Sequence, residues 1–355
     1  MLFPSTLQPI SVVILPHRRI KPGQSAGFTL VELLVATVIL AFILMITFNI
    51  VDQTSRLWKS TSMKVASFQH ARAAFDALTR NLSQATLNHR YEYYDANWKR
   101  TTPASLAAPA VHYGRFSELE YVSGPVASVF ANPGSKVAHA IFFQAPLGKT
   151  ESANLAMESP NMLNAIGYFV EFGTNSQYDR IPKFLQGKPN NDRNGFRLIE
   201  WVQPTEKLAI YDKTPSGNPQ QKWFEDAIQS GSDCRIMAEN VVALIILPKR
   251  DSNNLSLSAS YFYDSTTATY IKDRSYLLPP LLQVTLVAID DDSAQRLRGI
   301  HGQNQPTLIP DSAFQDIENY DKDMEALEAA LSGGTGGVRL NYRIFTATIR
   351  MKEGE

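Results

Sequence analysis

Hydrophobic positions run almost unbroken from Phe28 to Val51, FTLVELLVATVILAFILMITFNIV, and Glu32 is the single charge among them. About 24 residues at ~1.5 Å rise reach roughly 36 Å, enough to cross a ~30 Å hydrocarbon layer with some tilt. Further on, apolar positions recur at spacings of three and four: Phe68, Ala71, Phe75, Leu78, Leu82 and Ala85. Gln69, Arg72, Asp76, Arg80 and Ser83 fall on other faces. That is one buried stripe of a 3.6-period helix. No Gly or Pro occurs between Phe28 and Thr102, so the pattern predicts one helix from Phe28 to about Asn88, roughly 90 Å long. Residues 28–51 read as its membrane-spanning half. Residues 52–88 read as its amphipathic half, packed under a sheet.

After residue 103 the period shortens. The runs Leu119–Val122, Ala138–Gln144, Ile166–Phe172, Phe196–Val202, Val241–Leu247, Leu281–Ile289 and Leu340–Arg350 read as strands. Turn-rich connectors such as KPNNDRNG and KTPSGNPQ separate them. Asp311 to Leu331 reads as a surface helix, capped by Asp311 or Ser312 and stopped by the Gly333–Gly337 cluster. It lies between the last two strands as an insertion. The aromatic run RYEYYDANW (Tyr91, Tyr93, Tyr94, Trp98) reads as a packed helix-to-sheet junction rather than a binding surface. The fold class is expected to be α+β: a long N-terminal helix on an antiparallel sheet, with residues 89–355 forming a β-rich head.

Charge gives the chain a direction. Arg18, Arg19 and Lys21 precede the span, so by the positive-inside rule the N-terminus is cytoplasmic and everything after about residue 51 is exported. An ordinary secretory signal is cut after its apolar region. Here the small residues Ser25, Ala26 and Gly27 come before it. Cutting after Gly27 removes residues 1–27 as a leader and keeps the span on the mature protein. The first fifteen residues are apolar without a basic start, and read as leader padding rather than a second anchor. Glu32 needs a partner, because a carboxylate at mid-bilayer costs about 2.5–3.5 kcal/mol, less near the interface. The cut frees a positive α-amine at Phe28. Two helices offset by about one turn would pair that amine with the other helix's Glu32, and matched charges gain from the low dielectric.

GFTLVELLVA resembles the class III signal and methylation site of type IV pilins, pseudopilins and related minor pilins. The resemblance implies that a prepilin peptidase cuts after Gly27 and that the new N-terminus at Phe28 is methylated. It also implies that Glu32 guides assembly with other pilin or pseudopilin subunits through the N-terminal helix. ARAAFDALTRNLSQAT resembles the same region of J-type minor pseudopilins and W-type minor pilins, whose anchor helix continues into the head, so the expected fold is pilin-like. Four blocks in order, FRLIEWVQPTEKLAIYD, MAENVVALIILPK, LPPLLQVTLVAIDDDSAQRL and RIFTATIRM, resemble protein C of the four-gene Verru_Chthon cassette, a methylation-motif family of unknown role. The implied function is a minor pilin or pseudopilin at or near the tip of a type IV pilus or type II secretion pseudopilus. A chain of 355 residues is bulky for a repeating shaft. The alternative is a membrane-tethered periplasmic binding protein or enzyme that uses the signal without joining a filament.

Composition narrows the chemistry. Lys+Arg and Asp+Glu both total 34, which gives no basic face for nucleic acid, and loss of the leader leaves the mature chain about three charges negative. The lone Cys234 excludes an internal disulfide and, beside Asp233, reads as a small buried hydrophobe. LGKT (Gly148, Lys149, Thr150) has Phe143 where a phosphate loop needs its first Gly, and GGTGG lacks a βαβ setting. HExxH, CxxC and GxSxG motifs are absent, and the six histidines are scattered, as surface or junction residues would be. No enzyme activity and no cofactor is expected. Calcium, which some pseudopilin heads bind, has two weak candidate sites. Asn190, Asp192 and Asn194 have the rhythm of a calcium loop's start, but Trp201 stands at its twelfth position. Asp290, Asp291 and Asp292 follow a strand and present carboxylates, though a solvated turn is the favoured reading for both sites.

Overall fold

The computed structural model describes residues 27–105, 107–152, 161–174, 193–211, 222–231, 233–249, 260–266, 276–310, 313–333 and 339–352. The basic leader residues, both turn-rich connectors apart from Arg193, Asn194 and Gly195, and also Asp311 and Ser312, lie outside them; Asn190 and Asp192 are among the connector residues left outside. The chain forms two compact units, residues 1–58 and 59–355.

Helix α1 runs Leu30–Leu82. In the second unit its predicted stripe is the buried one: Ala71, Ala74, Phe75, Leu78 and Leu82 enter the main core, and Phe68 packs at its margin. The helix stops six residues before the expected Asn88 although no Gly or Pro intervenes. Side-chain and backbone captures end it. Thr86 N–H donates to the Gln144 carbonyl at 3.0 Å, and Asn88 Oδ1 accepts from Glu118 N–H at 2.8 Å and Ser117 Oγ at 2.9 Å. These bonds pull the backbone out of the helical path.

The strands are β1 (Arg90–Tyr94), β2 (His112–Phe116), β3 (Val122–Pro125), β4 (Lys136–Pro146), β5 (Leu163–Gly173), β6 (Gly195–Gln203), β7 (Cys234–Glu239), β8 (Val241–Lys249), β9 (Tyr263–Asp264), β10 (Leu281–Ile289) and β11 (Tyr342–Arg350). All their pairings are antiparallel. They form a six-stranded sheet β7-β6-β5-β4-β3-β9, a three-stranded sheet β11-β10-β8, and a two-stranded ribbon β1-β2. The fold is α+β, as the pattern predicts. One expected strand is displaced: Leu119–Val122 gives way to β3 at Val122–Pro125. Over Leu119–Tyr121 the backbone N–H groups go to side chains, Ser117 Oγ, Gln144 Oε1 and Ser265 Oγ, rather than to a ladder.

Among the described residues four α-helices join α1: α2 (Val126–Val129), α3 (Lys222–Gln229), α4 (Asp291–His301) and α5 (Tyr320–Gly333). The helix expected at 311–331 is α5, which starts later. Asp316 accepts from Glu318 N–H and caps a 3₁₀ turn, Ile317–Asn319, that leads into it. Two cores flank the large sheet. The main core holds β8, whose Val241–Leu247 is buried throughout, together with β10 and the stripe of α1. α1 lies on the face of the small sheet that bears Phe345, with the Phe75 ring 6.1 Å away. α5 covers the opposite face, where Tyr320 Oη accepts from Gln283 Nε2 at 3.0 Å. The second core joins Phe142, Phe169 and Trp201 to Trp223 and Phe224 of α3.

A polar ladder ties α1 to the large sheet. Asn81 Nδ2 donates to Tyr168 Oη at 2.8 Å, and Tyr168 donates to Glu200 Oε1 at 2.9 Å. Glu200 is fully buried, pairs with Arg235 Nε, and has Lys149 Nζ at 3.7 Å. Tyr168, Glu200 and Arg235 are cross-strand partners on adjacent strands, so register alone aligns them. Tyr168→Phe should cost about 1–3 kcal/mol by orphaning Asn81 and one Glu200 oxygen. Urea unfolding of the detergent-solubilised protein checks this; an unchanged midpoint would remove the ladder from the account of how α1 is held.

Candidate processing and assembly site

In the first unit every large apolar side chain from Phe28 to Val51 is exposed, Phe28 to 86%. The helix is long and apolar enough to cross a membrane, and such a contiguous apolar surface needs an apolar solvent.

The helix begins at Leu30, not at the expected Phe28, because Thr29 caps it. Thr29 Oγ1 accepts from Glu32 N–H at 3.3 Å, while Glu32 Oε2 accepts from Thr29 N–H at 3.0 Å and from Thr29 Oγ1 at 3.1 Å. This is a capping box, the reciprocal satisfaction of two otherwise orphaned donors. The box also sets an anion at the positive end of the helix dipole. The second carboxylate oxygen, Oε1, takes no part in it. Gly27 is exposed, and an added Cβ would meet no described atom within 4 Å. The bond expected to be cut, the amine its cleavage would free, and Glu32 lie within a six-residue stretch, 27–32. Thr29 escaped the sequence reading, though T-x-x-E ahead of an apolar run spells the box.

The other candidates resolve differently. Asp290 is buried and caps α4: its Oδ1 accepts from Ser293 N–H at 2.8 Å and its Oδ2 from Asn341 Nδ2 at 2.9 Å, with Lys64 Nζ of α1 3.8 Å away. Asp291 is exposed and accepts from Asn240 Nδ2, and Asp292 is half-buried beside Arg296 and Lys64. The three carboxylates thus face different surroundings. Among the described residues no three metal-ligating side chains come together. Asn194 bonds the Gln303 carbonyl through Nδ2.

Lys149 of LGKT belongs to the Glu200 ladder. Burial, and then the carboxylates of Glu171 and Asp233, push the Cys234 thiol up to about 12, so it stays protonated at neutral pH. The aromatic run divides between strand and surface: Tyr94 is buried, while Tyr91 is 69% exposed in β1. His139 departs from the expectation for histidines, being fully buried between the two larger sheets.

An exposed apolar helix, opened by a self-capped carboxylate, has the length and composition of a membrane anchor. Residues 23–48 match the family described as the prokaryotic N-terminal methylation motif. That match supports a type IV pilin-like or pseudopilin-type protein that is membrane-associated and processed by a prepilin peptidase. No curated protein matches the chain.

Proposed function

We propose that the chain is a non-enzymatic minor pilin or pseudopilin subunit, placed at or near the tip of a type IV pilus or type II secretion pseudopilus. In this reading prepilin peptidase cuts after Gly27, Phe28 is N-methylated, and the Phe28 amine of one subunit meets Glu32 of its neighbour in the inner membrane. The N-terminus is cytoplasmic and the head periplasmic, and no cofactor or nucleic acid is required. The order of sequence blocks in the head favours the Verru_Chthon cassette protein C family within this class.

The observation that carries the reading is the capping box: Glu32 keeps one oxygen free at the start of the helix while the other caps it. Two substitutions separate capping from charge. Glu32→Gln can keep the box, since Gln serves at the same position, but carries no charge for the amine. Glu32→Val removes both. Filament assembly is expected to fail for both variants, while mass spectrometry still finds a mature chain beginning at methylated Phe28. Normal assembly of Glu32→Gln would show that only capping matters. A chain still beginning at Met1 would overturn the processing claim, and full function of both variants would point to a tethered protein outside any filament.

A further inference from the structure

The apolar stretch of α1 holds few polar side chains, and all but one are bonded within the helix. Between Leu30 and Val51 they are Glu32, Thr37, Thr47 and Asn49. Glu32 shares the capping box with Thr29. Thr37 Oγ1 donates to the Leu34 carbonyl and Thr47 Oγ1 to the Ile43 carbonyl, both at 2.8 Å. Asn49 is exposed, and its carboxamide makes no hydrogen bond among the described residues.

Water does not reach Asn49 easily. It precedes the ion pair Asp52–Arg56, 2.9 Å, by about one turn, so it lies inside the last turn of the span. Helical side chains lean toward the helix N-terminus, which here aims the amide back into the apolar stretch. Asn is also too short to reach out along the helix as Lys and Arg do. An amide in hydrocarbon has no water to stand in for a missing partner.

The spacing around Asn49 points to what that partner is. Val35, Val38, Phe42, Met45, Asn49, Asp52 and Arg56 alternate steps of three and four, and all are exposed. That is the seam of a two-stranded parallel coiled coil, in which one Asn fixes the register. Two copies inserted in the same direction bring their Asn49 residues to the same depth. A carboxamide is its own complement, with an N–H donor and a carbonyl acceptor.

We propose that Asn49 is a pairing site for a second copy of this chain: two parallel helices in register, each amide donating Nδ2–H to the other's Oδ1 within the bilayer. The staggered contact through Glu32, offset by one turn, would instead set Asn49 level with Gln53. Register separates the two arrangements, so the in-register dimer does not rest on filament assembly.

The test uses the full-length chain in phosphatidylcholine vesicles, with the lone Cys234 replaced by alanine. Oxidation by copper phenanthroline should join two copies of Met45→Cys, on the Asn49 face, and spare Leu40→Cys, which lies half a turn away. Energy transfer between donor- and acceptor-labelled chains, followed on dilution with lipid, should show that Asn49→Leu weakens the dimer about five- to thirtyfold, the scale of an interhelical hydrogen bond in model membrane peptides. Leucine makes the span more apolar, so insertion is not at risk. Gln53→Leu should leave the dimer unchanged. Equal joining of Leu40→Cys, or a dimer indifferent to Asn49→Leu, overturns the proposal. An equal loss with Gln53→Leu overturns the in-register pairing in favour of the staggered one.

Discussion

Phe142→Ala should destabilise the protein by about 3–5 kcal/mol, the range for emptying a large aromatic site in a packed core. Phe142 is fully buried at the centre of the second core. Its ring stacks on Phe224 at 3.8 Å between centroids and meets Phe130, Trp201 and Trp223 edge-on at 5.5, 6.1 and 6.2 Å. The strand partner that makes room for it is Gly167, where an added Cβ would lie 2.1 Å from the ring. Gly167→Ala alone should therefore cost about 1–3 kcal/mol by overpacking. The two changes should not add, because alanine at 167 partly fills the space that Phe142→Ala opens. Urea midpoints of both single variants and the double variant decide this. Strict additivity would mean that ring and glycine do not share one space. Trp223 carries the packing to a buried carboxyl group, since its Nε1–H donates to Glu120 Oε2 at 3.0 Å. Burial, reinforced by Asp264, lifts that carboxyl to about 9, so the second core holds a neutral acid at physiological pH.

The parts of this architecture that were legible in the sequence are those governed by one repeating constraint. The stripe from Phe68 to Leu82 is legible because a helix against a core must bury every third or fourth residue, and those residues are the buried ones. Leu281–Ile289 matches β10 end for end, and Val241–Leu247 lies within β8, because strands buried on both faces write continuous apolar runs. What stayed hidden depends on partners remote in the chain. β1 and β2 carry polar and aromatic residues in no strict alternation, and form a ribbon only through each other. β7 is short and half-exposed, aligned by Glu200 and Arg235. α4 could have been found: Asp290 as cap, Ala294 and Leu297 as its buried face, and Gly302 at its end are ordinary helix punctuation. The run of three aspartates reads in sequence as a solvated turn, whereas Asp290 is buried as the cap and Asp291 and Asp292 open the helix. At the membrane end the glycine, the span and the carboxylate were all readable. The role of Thr29 was not drawn out, although its spacing from Glu32 is purely local.

Acid should weaken the protein through His139, by roughly 3 kcal/mol as pH falls from about 6.5 to about 4. The side chain is fully buried where the bulge at Ala138 breaks the register of β4 with β5, and it bonds Ile246 of β8. There Ile246 N–H donates to Nδ1 at 3.0 Å, which leaves the proton on Nε2 to be donated to the Phe314 carbonyl at 3.1 Å. One neutral imidazole thus joins the large sheet, the free edge of β8 and the segment ahead of α5. Burial outweighs the backbone hydrogen bonds to Phe314 and Ile246 and holds the ring down at about 4. Above 6.5 folded and unfolded chains both carry a neutral ring, and the group adds no pH dependence. Below 6.5 the unfolded chain takes up a proton that the native ring refuses until about 4, so stability falls across that window and levels off beneath it. The gap between the two values sets the size of the loss. His139→Leu cannot titrate, and it leaves Ile246 N–H and the Phe314 carbonyl buried without partners, so it should cost about 3 kcal/mol at neutral pH. Its stability curve should run below that of the parent at pH 7.5 and draw toward it by pH 4.5. Urea midpoints at these two pH values and at pH 6 measure the convergence. Parallel curves would show that the ring is not what makes the two sheets acid-sensitive.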